Sequence, residues 1–254
     1  MFFAAGSLTL LWLLAVTGLA AVIILARKAP TPPTTDGTRM RTITTSVGVV
    51  VALMLIVAAV DAWRYERAVA PITHRPDTLA VMGDSLAADF LGDPTWPEQL
   101  ADTLDKSLIN HAHPGHRLQD GLRALDTQPI ENALVIVLLG GNDILAPETR
   151  LADYTAQLHQ LLQSLTHKGN TVVLVELPAP PTAPWYGWVQ RPIASHHGVH
   201  LIPRRMLARI LFRDPGHTTD GIHLSQQGHD RLAADLHNYL RLAGIRPTGS
   251  RSLR

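Results

Sequence analysis

From Thr78 onward, short unbroken apolar runs alternate with stretches of helical periodicity, and this alternation restricts the chain to few architectures. The runs are TLAVM (78–82), SLIN (107–110), ALVIVLL (133–139), TVVLVEL (171–177) and VHLI (199–202). Near-continuous apolar strands suit a sheet covered on both faces, as parallel sheets are. Between the runs, TWPEQLADTLDK opens with Thr95 and carries Glu98 three residues on, a capping-box pattern that predicts a helix start. Over 150–167, Leu151, Tyr154, Leu158, Leu161, Leu162 and Leu165 recur at the three-four spacing of one helical face. Leu232, Leu236, Tyr239, Leu240 and Ala243 do the same in a last helix from about Ser225 to Leu242, with Gly244 as its stop. Strand–helix alternation of this kind predicts a three-layer α/β/α domain with a mainly parallel sheet.

In such a sheet ligands collect beyond the carboxyl ends of the strands, so the residues just after each run carry the most information. The first run stops at Gly83-Asp84-Ser85-Leu86, and the second leads into NHAHPGHR (110–117), which contains Gly115. The third ends in Gly140-Gly141-Asn142-Asp143. Ahead of the last helix, TTDGIHLSQQG (218–228) sets Asp220 three residues before His223. A serine nucleophile needs a base within reach, a carboxylate that holds the base in one tautomer, and donors aimed at the developing oxyanion. His223 suits the base and Asp220 the carboxylate. The Ser85 N–H, the Gly115 N–H and the Asn142 amide suit the donors, and glycine at 115 lets backbone approach a substrate closely. A Gly-Asp-Ser turn alone is ordinary strand-end chemistry. What lifts Ser85 above it is the order of all four blocks at strand and helix ends. Asp84 and Asp143 are expected to be structural, Asp84 holding the turn and Asp143 serving as a strand-end or cap residue, because Asp220 already fills the carboxylate's place.

The first sixty residues have a different character. Residues 2–26 carry no charge and are long enough to cross a bilayer, and a second uncharged run covers 43–60. Between them Arg27, Lys28, Arg39 and Arg41 stand against Asp36, and short basic loops stay cytoplasmic. The expected organisation is a membrane helix over 1–28, a cytoplasmic loop over 29–42 and a second membrane helix over 43–62. A juxtamembrane linker comes next over 63–77, with Trp63 and Tyr65 at headgroup level, then a globular domain over 78–243 and a tail over 244–254. The N-terminus and the domain then share the outer side of the membrane.

Composition closes off other chemistries. The net charge of +1 supplies no field for nucleic acid, and the lack of cysteine removes disulfides, thiolate catalysis and cysteine-held metals. His111, His113 and His116 form one histidine string and His196, His197 and His200 another, but neither has a strong zinc spacing and serine chemistry needs no metal. No metal or cofactor is therefore expected. LPAPPTAPWYGW (177–188) is stiffened by Pro178, Pro180, Pro181 and Pro184. Its Trp185, Tyr186 and Trp188 suit loop packing, an interfacial anchor, or a platform for an acyl chain or sugar.

The Gly-Asp-Ser-Leu, Gly115, Gly-Gly-Asn-Asp and Asp-Gly-Ile-His blocks resemble those of the SGNH hydrolases, also called GDSL esterases. The resemblance covers about residues 76–243 and is nearest to the small bacterial thioesterase and lysophospholipase branch. It implies a flavodoxin-like SGNH-hydrolase fold, a triad of Ser85, His223 and Asp220, and an oxyanion hole of Ser85, Gly115 and Asn142. It also implies a substrate-binding segment at 177–188 and hydrolysis of an acyl ester, and the two expected spans place that substrate in lipid or envelope polysaccharide at the periplasmic side of a bacterial inner membrane. The same triad serves O-acyl transfer or O-acetyl ester cleavage on envelope glycans, and a non-catalytic scaffold is the alternative from another class. His116 departs from the family pattern, which often has an acidic residue after the glycine. Oligomeric state is not readable from the residues.

Overall fold

Three of the apolar runs become strands that are buried at every residue or at all but the first: β1 (Thr78–Gly83), β3 (Leu134–Leu138) and β4 (Thr171–Val175). They form the centre of a five-stranded sheet whose edges are β2 (Ser107–Asn110) and β5 (His200–Ile202). The spatial order is β2-β1-β3-β4-β5, and all four pairings are parallel. Val81 stands opposite Ile136, and Val135 opposite Val172. In this order the chain reverses direction across the sheet between β1 and β3. Their carboxyl ends therefore border the crevice where open α/β sheets bind ligands.

The structure is a computed structural model that describes residues 71–88, 93–213 and 215–245. The two membrane helices and the loop expected before residue 63 lie outside the described residues. Among the described residues, no helix is long and apolar enough to cross a membrane.

Seven helices are described: α1 (Trp96–Leu104), α2 (Leu118–Thr127), α3 (Gly141–Leu145), α4 (Leu151–Thr166), α5 (Trp185–His196), α6 (Arg205–Phe212) and α7 (Gln226–Leu242). α7 packs with α1 and α6, whereas α4 packs with α2 and α5, so the helices fall into two groups. The expected capping signal operates at α1: Thr95 N donates to the Glu98 carboxylate at 3.0 Å, and the Thr95 hydroxyl donates to it as well. Ser225 caps α7 by accepting from Gly228 N at 3.2 Å.

The segment expected as a stiff loop is helical from Trp185. Pro184 sits at its N-cap, where a missing N–H costs nothing. Tyr186, Gln190, Ile193 and Ala194 make a buried stripe at helical spacing. Gln190 fastens the helix to the end of β4, accepting from Leu177 N at 2.8 Å and donating to Leu177 O at 3.2 Å. Next to it, the buried Glu176 takes two hydrogen bonds from Arg191, at 2.8 and 3.1 Å, and one from Arg204 N at 2.9 Å. Three donors on one buried carboxylate keep its charge paired.

The domain takes hold of the chain before β1. Ile72 is buried and donates its N–H to Ala243 O at 2.7 Å, and Ser107 N donates to Asp77 O at 3.1 Å. Ile245 is buried too, so packing continues past the end of α7.

Candidate active site

β1 ends where its backbone turns sharply. The Asp84 carboxylate accepts from Leu86 N at 3.0 Å, and Asp84 O accepts from Ala87 N and Ala88 N at 3.0 and 3.1 Å. This turn buries Asp84, Leu86 and Ala87 and leaves Ser85 partly exposed between them. Gly83 has to be small, because a Cβ there would meet Ala87 Cβ at 2.6 Å. The turn also rests on α1: the fully buried Trp96 indole donates to Leu86 O at 2.8 Å. A serine behind Gly-Asp is thus held by its neighbours' packing while it keeps access to solvent.

The next two loops are tied to the first and to each other. His113 N donates to Gly83 O at 3.4 Å, and Gly115 adopts a left-handed backbone with φ of 79°. The Asn142 amide donates to His116 O at 2.9 Å, so Asn142 is bonded to the residue directly after Gly115. An amide nitrogen has two hydrogens, and this bond uses one of them. Gly140, with φ of 112°, caps α3, and Gly141 faces the Asp84 carboxylate. Asp143 accepts from Leu118 N at 3.0 Å, so of the strand-end and cap roles expected for it, it takes the cap, at the start of α2.

Asp84 and Asp143 are the two buried acids of the site. Burial pushes Asp84 up to about 6, against a Leu86 N–H that favours the charged form. The Asp143 charge adds to the rise, and the positive charge of a protonated His223 opposes it. Burial raises Asp143 as well, opposed by the Leu118 N–H. The charge of a protonated His223 thus links the last loop electrostatically to the residue beside Ser85.

In that loop Asp220 wraps its own carboxylate. One oxygen accepts from His223 N at 2.8 Å and from Ile222 N at 2.9 Å, and the other meets His223 Nδ1 at 2.6 Å. The His223 N–H, the imidazole contact and the Ile222 N–H together hold Asp220 well below the usual carboxylate range. Gly221, with φ of 88°, makes the reversal possible. Thr219 N donates to His223 O at 2.9 Å and closes the loop ahead of α7. A carboxylate on Nδ1 leaves Nε2 as the nitrogen that can take a proton.

A model of the GDSL-like Lipase/Acylhydrolase family matches residues 81–231, a stretch that holds Ser85, Gly115, Asn142, Asp220 and His223. The chain belongs to this family. A GDSL-like acylhydrolase is an enzyme that cleaves ester bonds, and the solved structures similar to it carry the same fold. TesA is 26% identical, with 65% of this chain and 99% of that one covered at a TM-score of 0.56. The psychrotrophic esterase EstA from Pseudoalteromonas sp. is 21% identical, with 65% and 97% covered at 0.56. An acetylxylan esterase from Geobacillus stearothermophilus is 18% identical, with 71% and 100% covered at 0.57. No curated protein sequence matches the chain.

For this GDSL-type hydrolase the aromatic segment divides. Tyr186 is buried, packs edge-on against Tyr154 with ring centres 5.1 Å apart, and donates its hydroxyl to Thr149 O at 2.5 Å. It fills the core, the packing role among those expected of it. Trp185 and Trp188 stay exposed in the first turn of α5, as do Leu145 beyond Asn142 and Ile222 beside His223. Two contributions had no signal in the sequence: the His116 carbonyl that steadies Asn142 and the Trp96 indole under the serine turn.

Proposed function

We propose that this protein is a membrane-anchored serine esterase in which Ser85 is the nucleophile, His223 the base and Asp220 the group that orients the base. The observation that carries this is the 2.6 Å contact between Asp220 and His223 Nδ1, in a loop that also reaches electrostatically to Asp84. Ser85 Oγ attacks the acyl carbonyl while His223 Nε2 takes its proton. The oxyanion is met by the Ser85 N–H, the Gly115 N–H and the second hydrogen of the Asn142 amide. Collapse expels the alcohol or thiol, which takes the proton back from His223. Water, deprotonated by the same nitrogen, then releases the acid and restores Ser85.

The two charge-free runs and the basic loop between them favour a bacterial inner-membrane location, with the N-terminus and the catalytic domain on the periplasmic side. Between Val60 and Ile72 the chain spans at most about 40 Å when extended, at roughly 3.3 Å per residue. This tether favours esters held in lipid or in nearby envelope polymers. The exposed Leu145, Trp185 and Ile222 suit an acyl chain.

The test is labelling of the full chain by a fluorophosphonate probe, beside hydrolysis of aryl esters of graded acyl length. Ser85→Ala should lose both signals with its circular dichroism unchanged. Labelling that survives this substitution would remove Ser85 from the mechanism. Orientation is checked separately in spheroplasts with an impermeant maleimide: Thr34→Cys should stay unlabelled and Ser250→Cys should react.

A further inference from the structure

Outside the loops assigned to catalysis, α4 and α5 bring three histidines together. His159 lies in the body of α4, His196 ends α5 and His197 is its C-cap. His159 Nδ1 and His197 Nε2 are 3.0 Å apart. The three rings meet edge-on, with centres 5.4 Å (159–196), 5.2 Å (159–197) and 4.9 Å (196–197) apart. One ring nitrogen from each residue lies within 4.8 Å of the other two. We propose that His159, His196 and His197 bind one divalent transition-metal ion, with zinc as the fitting case, at the surface between α4 and α5.

The spacing is close to what such an ion needs. At a zinc–nitrogen distance of about 2.0–2.1 Å, tetrahedral ligands stand about 3.3 Å from one another. Side-chain rotation closes the remaining gap at a helix surface. Three imidazoles with no carboxylate or thiolate are a borderline donor set that suits zinc, copper or nickel over magnesium or calcium. The 3.0 Å contact requires a proton on one of its two nitrogens. On binding, that proton moves through solvent to the other nitrogen of the same ring, so both lone pairs face the ion and no charge is lost. His196 is exposed, which gives the ion an access route and leaves its fourth position to water.

The fold, not the local sequence, assembles this set. His196 and His197 suggest His200 as a third partner, yet the packing of α5 on α4 supplies His159 instead. A bound ion would clip α5 to α4 without contact with the catalytic loops, so this proposal does not depend on the catalytic assignment.

The experiment titrates zinc chloride into the full chain, purified without a polyhistidine tag, against a chromogenic chelator at pH 7.5. One equivalent should bind at micromolar affinity or tighter. Saturating zinc should raise Tm by about 5 °C or more, and chelation should reverse the rise. His159→Gln with His197→Gln should abolish both effects and leave aryl-ester hydrolysis in chelator unchanged. His111→Gln with His116→Gln should keep both. Zinc X-ray absorption on the wild-type complex, which needs no variant to fold, should show three imidazoles at about 2.0 Å. Absence of a stoichiometric ion, binding that outlives the α4–α5 substitutions, or a coordination shell without three imidazoles would each overturn the proposal.

Discussion

Replacing Asp84 by Asn tests whether the acid under the Ser85 turn is a strained support. Its carboxyl is pushed up to about 6 from an ordinary value of 3.8, chiefly by burial. A shift of about two units corresponds to about 3 kcal/mol of difference between its two protonation states. Between those two values the folded chain keeps a proton that the unfolded chain has released. Stability from this group is therefore greatest in acid and falls as pH rises through the window. From about pH 4.5 to about pH 7.5 the loss comes to about 2 kcal/mol. Asn has the same shape and still offers Leu86 N an acceptor, but it does not ionise. The stability of Asp84→Asn relative to wild type should thus improve by about 2 kcal/mol across that range. Urea unfolding at a series of pH values measures the difference directly, and every unchanged group cancels in the subtraction. A difference that stays flat with pH would mean that Asp84 is not held protonated by its burial, and the account of the turn would fail.

Asn142→Ala should lower kcat by about 10²–10³ with little change in KM, since its donor tightens only on the oxyanion; a loss confined to KM in steady-state kinetics would make Asn142 a ground-state binding group. Asp220→Asn should lower kcat by about 10²–10⁴ while the loop keeps its shape, because an amide oxygen can still serve Ile222 N and His223 N. Undiminished turnover would leave Asp220 as a loop former only. Trp96→Phe should reduce stability by about 1–3 kcal/mol in urea unfolding by orphaning Leu86 O inside the protein. No measurable loss would mean that water reaches that carbonyl.

The elements that are legible in the sequence are those whose physics is local. The run Leu79–Met82 is apolar because both its faces are covered, and the Thr95–Glu98 cap needs only residues three apart. The stripe of α4 is legible for the same reason: Tyr154, Leu158, Leu161, Leu162 and Leu165 are all buried. α2 is hidden because it buries little beyond Leu118 and Gly121, and its first turn depends on Asp143, 25 residues away. α5 is hidden because its prolines read as a loop, although Pro184 only starts the helix and Gln190 secures it to Leu177. The Asp220–His223 pair is visible because both partners lie in one turn. Its coupling to Asp84, and the bond from Asn142 to His116 O, exist only once the sheet sets four distant loops side by side.

The hydrogen bond from Ile72 N to Ala243 O makes the domain a body with one handle. α7 leaves the His223 loop and descends through 17 residues, about 25 Å at 1.5 Å per residue, before it meets Ile72. Both ends of the folded domain are therefore gathered at the floor of the sheet, and the serine stands at its roof. Whatever is joined to either end pulls on the floor. The chain around Ser85 lies at the other end of β1 from that attachment, so a tether, tag or fused partner joins the domain at the end opposite the Ser85 turn.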